Sequence, residues 1–230
     1  MGRLLSTVVL AVVLSVFAAP ATSALAVWDE ITGGDPNSGM VALTFDAGSD
    51  DRPTPRILDT LKAYNLKVTF FLTGQWVESY PQTARRVADE GHELSNHTYY
   101  HPDLVTLSRE QITWELDYTN GVIQRDLGRS SKPWFRPPFG SRNQRVLDIA
   151  RELGFRSIYW TLDSGDWRTN ATAPGVLHRV LSSVGGGDIV VHHAAAVPTA
   201  DILANEIEGI ESMGLRIVTV SELLGVAPAS

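Results

Sequence analysis

The chain has 230 residues, 19 of them Lys or Arg and 26 Asp or Glu, and carries a formal charge of −7. That acidity leaves no electrostatic footprint for nucleic acid and works against charge-driven binding to anionic polymers. Cysteine is absent, which excludes thiolate metal sites, cysteine nucleophiles and a lipidated N-terminal cysteine; a domain of this size can be exported without disulfides.

Residues 1–26 read as an export signal. Arg3 precedes an apolar run over 4–18, and Pro20 with the small residues Ala24-Leu25-Ala26 supplies an A-x-A-like cleavage site. The run is shorter than the about 20 apolar residues that span a bilayer. The mature chain is therefore expected to be secreted, extracellular or cell-wall associated, and monomeric, with no membrane insertion. An uncleaved anchor is the competing reading. Residues 27–40 form a polar lead-in, and 41–225 is the expected single catalytic domain. The apolar run at 41–45 reads as a strand, and 53–64 as a helix with Ile57, Leu58, Leu61 and Tyr64 at helical spacing. A strand at 68–72, a weak helix at 82–90 and a short strand near Leu94 follow. The long helix 108–127, a short run at Trp134, the helix 144–153 and a strand at 157–161 come next. Helix 173–184, strand 189–191, helix 199–213 and strand 216–220 complete the pattern, with a frayed tail after Val226. Such alternation implies α/β architecture, with parallel strands joined by crossovers. A small incomplete (β/α) barrel and a doubly wound open sheet both suit it.

Polar motifs stand directly after the strands. They are Asp46, Asn96-His97-Thr98-Tyr99-Tyr100-His101, Phe135-Arg136-Pro137-Pro138-Phe139-Gly140, Asp163-Ser164-Gly165-Asp166-Trp167 and His192-His193. Residues following parallel strands share one rim, where ligands bind. His97 and His101 have i, i+4 spacing, but a helical metal face fails. Thr98 replaces the glutamate of H-E-x-x-H, and Pro102 biases His101 toward extended geometry. The pair is expected on a loop, where it can chelate or simply face solvent; neutral imidazole suits Zn²⁺. Arg136, before two prolines, is either solvated or held near a carboxylate whose pKa it lowers. Asp163 and Asp166 can cap a turn, or one can orient His193. His193 read alone is a core histidine, and His192 should face the other way. No G-x-S-x-G, G-x-G-x-x-G or Walker A loop is present.

In order and spacing, these motifs resemble those of the polysaccharide deacetylases of carbohydrate esterase family four. "TFDAG" is similar to TFDDG, "HTYYH" to H-[ST]-x-x-H, "RPPFG" to the third motif, "DSGDW" to D-x-x-D-W, and "IVVHH" to the L-x-H ending. The resemblance implies a distorted (β/α) barrel with fewer than eight repeats and metal-dependent deacetylation of an acetylated polysaccharide or oligosaccharide. It implies Asp46 as general base, tuned by Arg136, and His193 as general acid. Asp166 is the expected partner of His193, with Asp163 the weaker choice. His97 and His101 would ligate a divalent metal, zinc first. Trp167, Pro137 and Phe139 would line the sugar groove, and Val191 would pack beside the acetyl methyl. Trp76, Tyr99 and Tyr100 are further candidates for sugar stacking. The expected substrate is an N-acetylated glycan, peptidoglycan- or chitin-like. The alternatives are an acetylxylan-type O-acetyl esterase and a weakened glycan-binding module. One position departs: Ala47 stands where the family has a metal-binding aspartate. Asp50 is the expected replacement, folding back over the mouth through Gly48, while Asp51 caps the next helix; the alternatives are Asp46 binding the metal itself, at a cost to its basicity, and two solvated loop acids.

Overall fold

The structure, a computed structural model, describes Gly2 and residues 30–227. The expected signal segment, Gly2 apart, lies outside the described residues. Among the described residues, no helix is long and apolar enough to cross a membrane.

In chain order the elements are β1 (Glu30–Ile31), β2 (Met40–Ala47), α1 (Thr54–Ala63), β3 (Thr69–Leu72), α2 (Gly74–Ser79) and α3 (Pro81–Asp89). Then come β4 (Glu93–Asn96), α4 (Arg109–Leu127), β5 (Trp134–Phe135), α5 (Gln144–Glu152), β6 (Arg156–Ile158) and β7 (Leu162–Asp163). The chain ends with α6 (Ala173–Leu181), β8 (Ile189–His193), α7 (Val197–Ser212), β9 (Arg216–Val218) and α8 (Val220–Leu223). The strands form one curled sheet in the order β1-β6-β5-β4-β3-β2-β8-β7, with β9 paired to the start of β2, and the pairings are parallel. This is the expected distorted barrel, open between β1 and β7.

Strand periodicity explains how the sheet buries both faces. Along β2, Val41, Leu43, Phe45 and Ala47 join an outer apolar cluster with Ile57, Leu58 and Leu61 of α1 and Leu203 and Ile207 of α7. Ala42, one residue out of phase, packs inside the barrel with Phe71, Trp134, Ile158, Ile189 and Val218. Thr44 and Asp46 share the parity of Ala42, so the strand carries a carboxylate up the barrel interior. Asp46 stands level with Phe71 on β3 and His193 on β8.

Several boundaries differ from the sequence expectation. The lead-in contains β1, and residues after it cross the open side of the barrel, where Gly34 N–H donates to Gly187 O at 2.7 Å. A Cβ at Gly186 would lie 2.4 Å from Pro36 O, so that crossing requires glycine. The strand expected over 157–161 breaks into β6 and β7 because its backbone changes partners. Tyr159 N–H donates to Ile31 O, whereas Thr161 N–H donates to Ile189 O. The run 216–220 ends at Val218 because Thr219 caps α8, its side chain accepting from Glu222 N–H. Helix α2 went unread; Thr73 starts it by accepting from Trp76 N–H at 3.1 Å.

Candidate active site

Backbone ladders run past the strand ends and fix the residues that follow. Thr73 N–H donates to Ala47 O, His97 N–H to Leu72 O, Arg136 N–H to Asn96 O and Ala194 N–H to Asp46 O, all at 2.9–3.0 Å. The polar motifs are thereby held on one rim by the sheet itself.

Asp46 is buried, and its Oδ1 accepts from Arg136 Nη1 at 2.7 Å. Arg136 is wholly enclosed. Its Nη1 also donates to Thr44 Oγ1 at 2.9 Å, Nε to Ile158 O at 3.3 Å and Nη2 to Tyr159 O at 3.2 Å, and its guanidinium lies 4.0 Å above the Phe71 ring. Burial pushes the Asp46 carboxyl up, but Arg136, His97 and His193 together outweigh it and hold the group below its ordinary carboxylate value.

His97 Nδ1 meets the Arg136 carbonyl oxygen at 2.9 Å. A carbonyl only accepts, so Nδ1 carries the proton and Nε2 is the lone-pair nitrogen, 3.7 Å from Asp46 Oδ2. Burial, aided by His101, pushes His97 down to about 4 against the pull of Asp46, so its ring is neutral at neutral pH. The two histidine rings meet edge-on with centroids 4.8 Å apart. They lie on the expected irregular loop, but His101 is not extended. Thr98 and His101 both adopt left-handed backbone, φ +67° and +60°. This region is sparsely populated by residues other than glycine and has to be held. Asn96 Oδ1 accepts from Thr98 N–H and Thr98 Oγ1 from His101 N–H, while the buried Glu115 of α4 accepts from Tyr99 and Tyr100 N–H at 2.6 and 3.0 Å. These bonds override the bias from Pro102.

His193 Nδ1 is 2.7 Å from Asp166 Oδ1, and His193 N–H donates to Asp166 Oδ2 at 2.8 Å. Thr199 Oγ1 donates to the same oxygen at 2.5 Å. Burial opposes charge on His193, but the Asp166 bond and charge, with Asp46 beyond, raise it above the ordinary histidine value. Asp163 does different work. It accepts from Gly165 N–H and from Trp167 Nε1 at 3.2 Å, and so orients the exposed indole.

A cavity of about 450 Å³ opens at this rim, a size suited to small ligands. Asp46, His97, His101, Pro137, Phe139, Trp167, Val191 and His193 all line it. Arg136 and Asp166 stand behind it and hold Asp46 and His193. Trp76 does not approach it; the indole is buried under α2 in the outer core. Sequence reasoning missed Thr44 and Trp160. Thr44, two residues before Asp46, was legible from strand parity; Trp160 reaches the cavity only because β6 and β7 break around it.

His97 and His101 supply nitrogen donors for the implied metal, but the expected third ligand is absent. Asp50 accepts from Arg52 N–H at 3.0 Å and pairs with Arg52 Nε, away from the cavity lining, because the cation two residues on captures it in a local turn. Asp51 accepts from Thr83 Oγ1 at 2.6 Å rather than capping α1. Ala47 has no donor and packs in the outer core, and Asp46 is engaged by Arg136. Among the described residues, no group of three His, Cys, Asp or Glu side chains is placed to hold a metal ion. The residues present do not complete the three-ligand set usual for catalytic zinc.

The family model for polysaccharide deacetylase matches residues 33–158. A Bacillus subtilis protein, YlxY, is 38% identical over 197 residues, 85% of this chain and 60% of its own length. The chain thus spans less than two thirds of that relative. A peptidoglycan-N-acetylglucosamine deacetylase of Bacillus cereus is 34% identical over 191 residues, 81% of this chain and 69% of that protein. Among solved structures, BA3943 of Bacillus anthracis, described as a family pseudoenzyme, superposes with a TM-score of 0.81 at 34% identity, covering 84% of this chain and 68% of its own. A mutant of BA3943 is described as having restored enzymatic activity.

Proposed function

The chain belongs to the polysaccharide deacetylase family, and from that premise we propose that it hydrolyses the acetyl group of an N-acetylated glycan of the peptidoglycan type. One observation carries the reading: Asp46 and His193 stand level on adjacent strands, in one cavity, each held by its own buried partner.

An amide resists water because water is a weak nucleophile and the amide nitrogen a poor leaving group. Asp46, ionised at neutral pH, accepts the proton of an attacking water. His193, biased toward its charged form by Asp166 and fixed through Nδ1, presents its other ring nitrogen to the departing sugar nitrogen. Val191 and Trp167 give the acetyl methyl and the sugar face apolar contact. A carboxylate held below its ordinary value is a weak base, so the proton moves only in concert with attack. Nothing among the cavity side chains supplies the water activation that a complete metal site gives the family, and slow turnover is the expected consequence.

A second reading, glycan binding with little or no turnover, is favoured by Ala47 and the two-histidine donor set, and by the likeness to BA3943. Acetate release from N-acetylglucosamine oligomers, peptidoglycan and acetylxylan, with zinc or with chelator, separates the readings. Deacetylation requires release that Asp46→Asn and His193→Ala each lower by about 10²–10⁴-fold. Tight glycan binding without release from any substrate supports the second reading instead, and release from acetylxylan alone makes the protein an O-acetyl esterase. Export is part of the proposal. It rests on the signal-like residues 1–26, and N-terminal sequencing of protein from the culture medium checks it.

A further inference from the structure

On the far face of β8, directly behind His193, lies a buried ionic group that the proton-transfer reading leaves unused. His192 and Glu206 are both fully enclosed. His192 Nε2 lies 2.9 Å from Glu206 Oε1, a carboxylate presented by α7. Its other ring nitrogen, Nδ1, lies 3.8 Å from Asp166 Oδ2, presented by the loop after β7. The imidazole stacks on Phe45 at 5.5 Å between centroids. Among the described residues, His192 Nδ1 has no hydrogen-bond partner, so its interaction with Asp166 is one of charge.

A neutral ring has one lone-pair nitrogen. Here either choice aims that lone pair at a carboxylate in an apolar setting, which is unfavourable on both sides. The geometry therefore favours protons on both nitrogens. Glu206, His192, Asp166 and His193 then form a row of alternating charge through the strand. Asp46 stands level with the last member on the adjacent strand β2, and Asp163 is the remaining carboxylate near His192. Burial pushes His192 down, yet Glu206 first and Asp166 next outweigh it and hold it above its ordinary value.

We propose that His192 and Glu206 are positioning residues for the acid: a buried imidazolium, fixed by Glu206, that shares the Asp166 carboxylate and limits how tightly His193 holds its proton. The assignment rests on the reading of His193 as the acid. The physical consequence has a definite sign. Asp166 alone would stabilise the His193 imidazolium more strongly, and a strongly stabilised imidazolium is a poor proton donor. The charge on His192 opposes that stabilisation and also keeps Asp166 ionised.

The test replaces the pair together, because removing one partner alone strands a buried charge, whereas apolar replacement of both is often tolerated. In the full chain carrying His192→Phe with Glu206→Met, the protonation of His193 is followed by ¹⁵N NMR of the histidine rings alongside acetate release. The expected result is an upward move of the His193 midpoint by about half a pH unit or more, with the basic limb of activity moving the same way. In the unaltered protein, the His192 ring should remain doubly protonated while His193 titrates. An unmoved or lowered His193 midpoint overturns the inference, as does a singly protonated His192 ring. Should the double variant not fold, Glu206→Gln serves: His192 must then lose its second proton at lower pH, and an unchanged His192 midpoint overturns the proposal. The NMR readout needs no turnover. A shifted midpoint without acetate release in the unaltered protein supports the coupling and defeats the deacetylase reading, whereas release with no shift defeats the coupling alone.

Discussion

Ala47 is the residue on which the chemistry turns. It ends β2 with its side chain in the outer core, next to an Asp46 that is already engaged by Arg136. A carboxylate at this position has two opposite effects. Without metal it adds a poorly solvated charge beside an apolar cluster and destabilises the fold. With metal, a side chain that turns from the outer core to the rim adds an oxygen donor to the nitrogens of His97 and His101. Ala47→Asp is therefore expected to melt below the unaltered protein in chelator and to gain sharply on zinc addition. At a zinc concentration about 100-fold above Kd, binding to the native state contributes about 2.7 kcal/mol. For a domain of this size that corresponds to a rise of roughly 5–10 °C in Tm. Thermal melts of both proteins with and without zinc check it. An equal zinc response in the unaltered chain would show that His97 and His101 already bind with an unassigned third donor.

At the scale of an element, the loop from His97 to His101 illustrates how secondary structure positions chemistry it does not contain. Two residues of that loop have left-handed backbone without glycine, each disfavoured by about 1–3 kcal/mol. The stabilisation comes in part from the next α-helix along the chain. Helix α4 begins at a capping box in which Ser108 and Gln111 bond reciprocally, and two turns later it presents Glu115 beneath the loop. Glu115→Ala leaves two backbone N–H groups without their acceptor and should destabilise the protein by about 1–3 kcal/mol. The same variant should speed hydrogen exchange at the Tyr99 and Tyr100 amides by tenfold or more, equivalent to about 1.4 kcal/mol. Exchange at those amides unchanged from the unaltered protein would show that Asn96 and Thr98 hold the loop alone.

For the whole molecule, the barrel interior sets the pH window. Asp46 is held below its ordinary value, so it stays ionised until strongly acidic pH. Burial opposes charge on His193, but Asp166 and then Asp46 hold it above its ordinary value of 6.5, so it keeps its proton to higher pH than an unpaired imidazole and loses it as pH rises further. Activity that needs Asp46 charged and His193 protonated should extend to higher pH than an unpaired histidine would allow. It should fall on the basic side as His193 deprotonates, and on the acid side only below the usual carboxylate range. Asp166→Asn removes the charge that raises His193, so its basic limb should move to lower pH. A pH profile of acetate release measures this. A basic limb that moves with Asp163→Asn and not with Asp166→Asn would contradict the hydrogen bond between Asp166 and His193.

Local order was legible before any coordinates. The alternation of apolar strands and amphipathic helices determined the parallel α/β architecture, because period and length report burial directly. Position after a strand was enough to bring Asp46, His97, His101, Arg136, Trp167 and His193 to one rim, because parallel strands point the same way. What the sequence could not determine depends on partners remote in the chain. Asp50 is the exception: Arg52, which captures it in a local turn, stands only two residues on and was visible in the sequence. Composition and spacing alone left Asp163 and Asp166 open, the family resemblance favoured Asp166, and the approach of β8 and Thr199 gives Asp166 the hydrogen bond to His193. The left-handed backbone of His101 and the burial of Trp76 were decided by Glu115 and by α2. Above all, His192 became a charged group sharing Asp166 only when α7 laid Glu206 against β8, since a buried charge is set by what surrounds it and not by its neighbours in sequence.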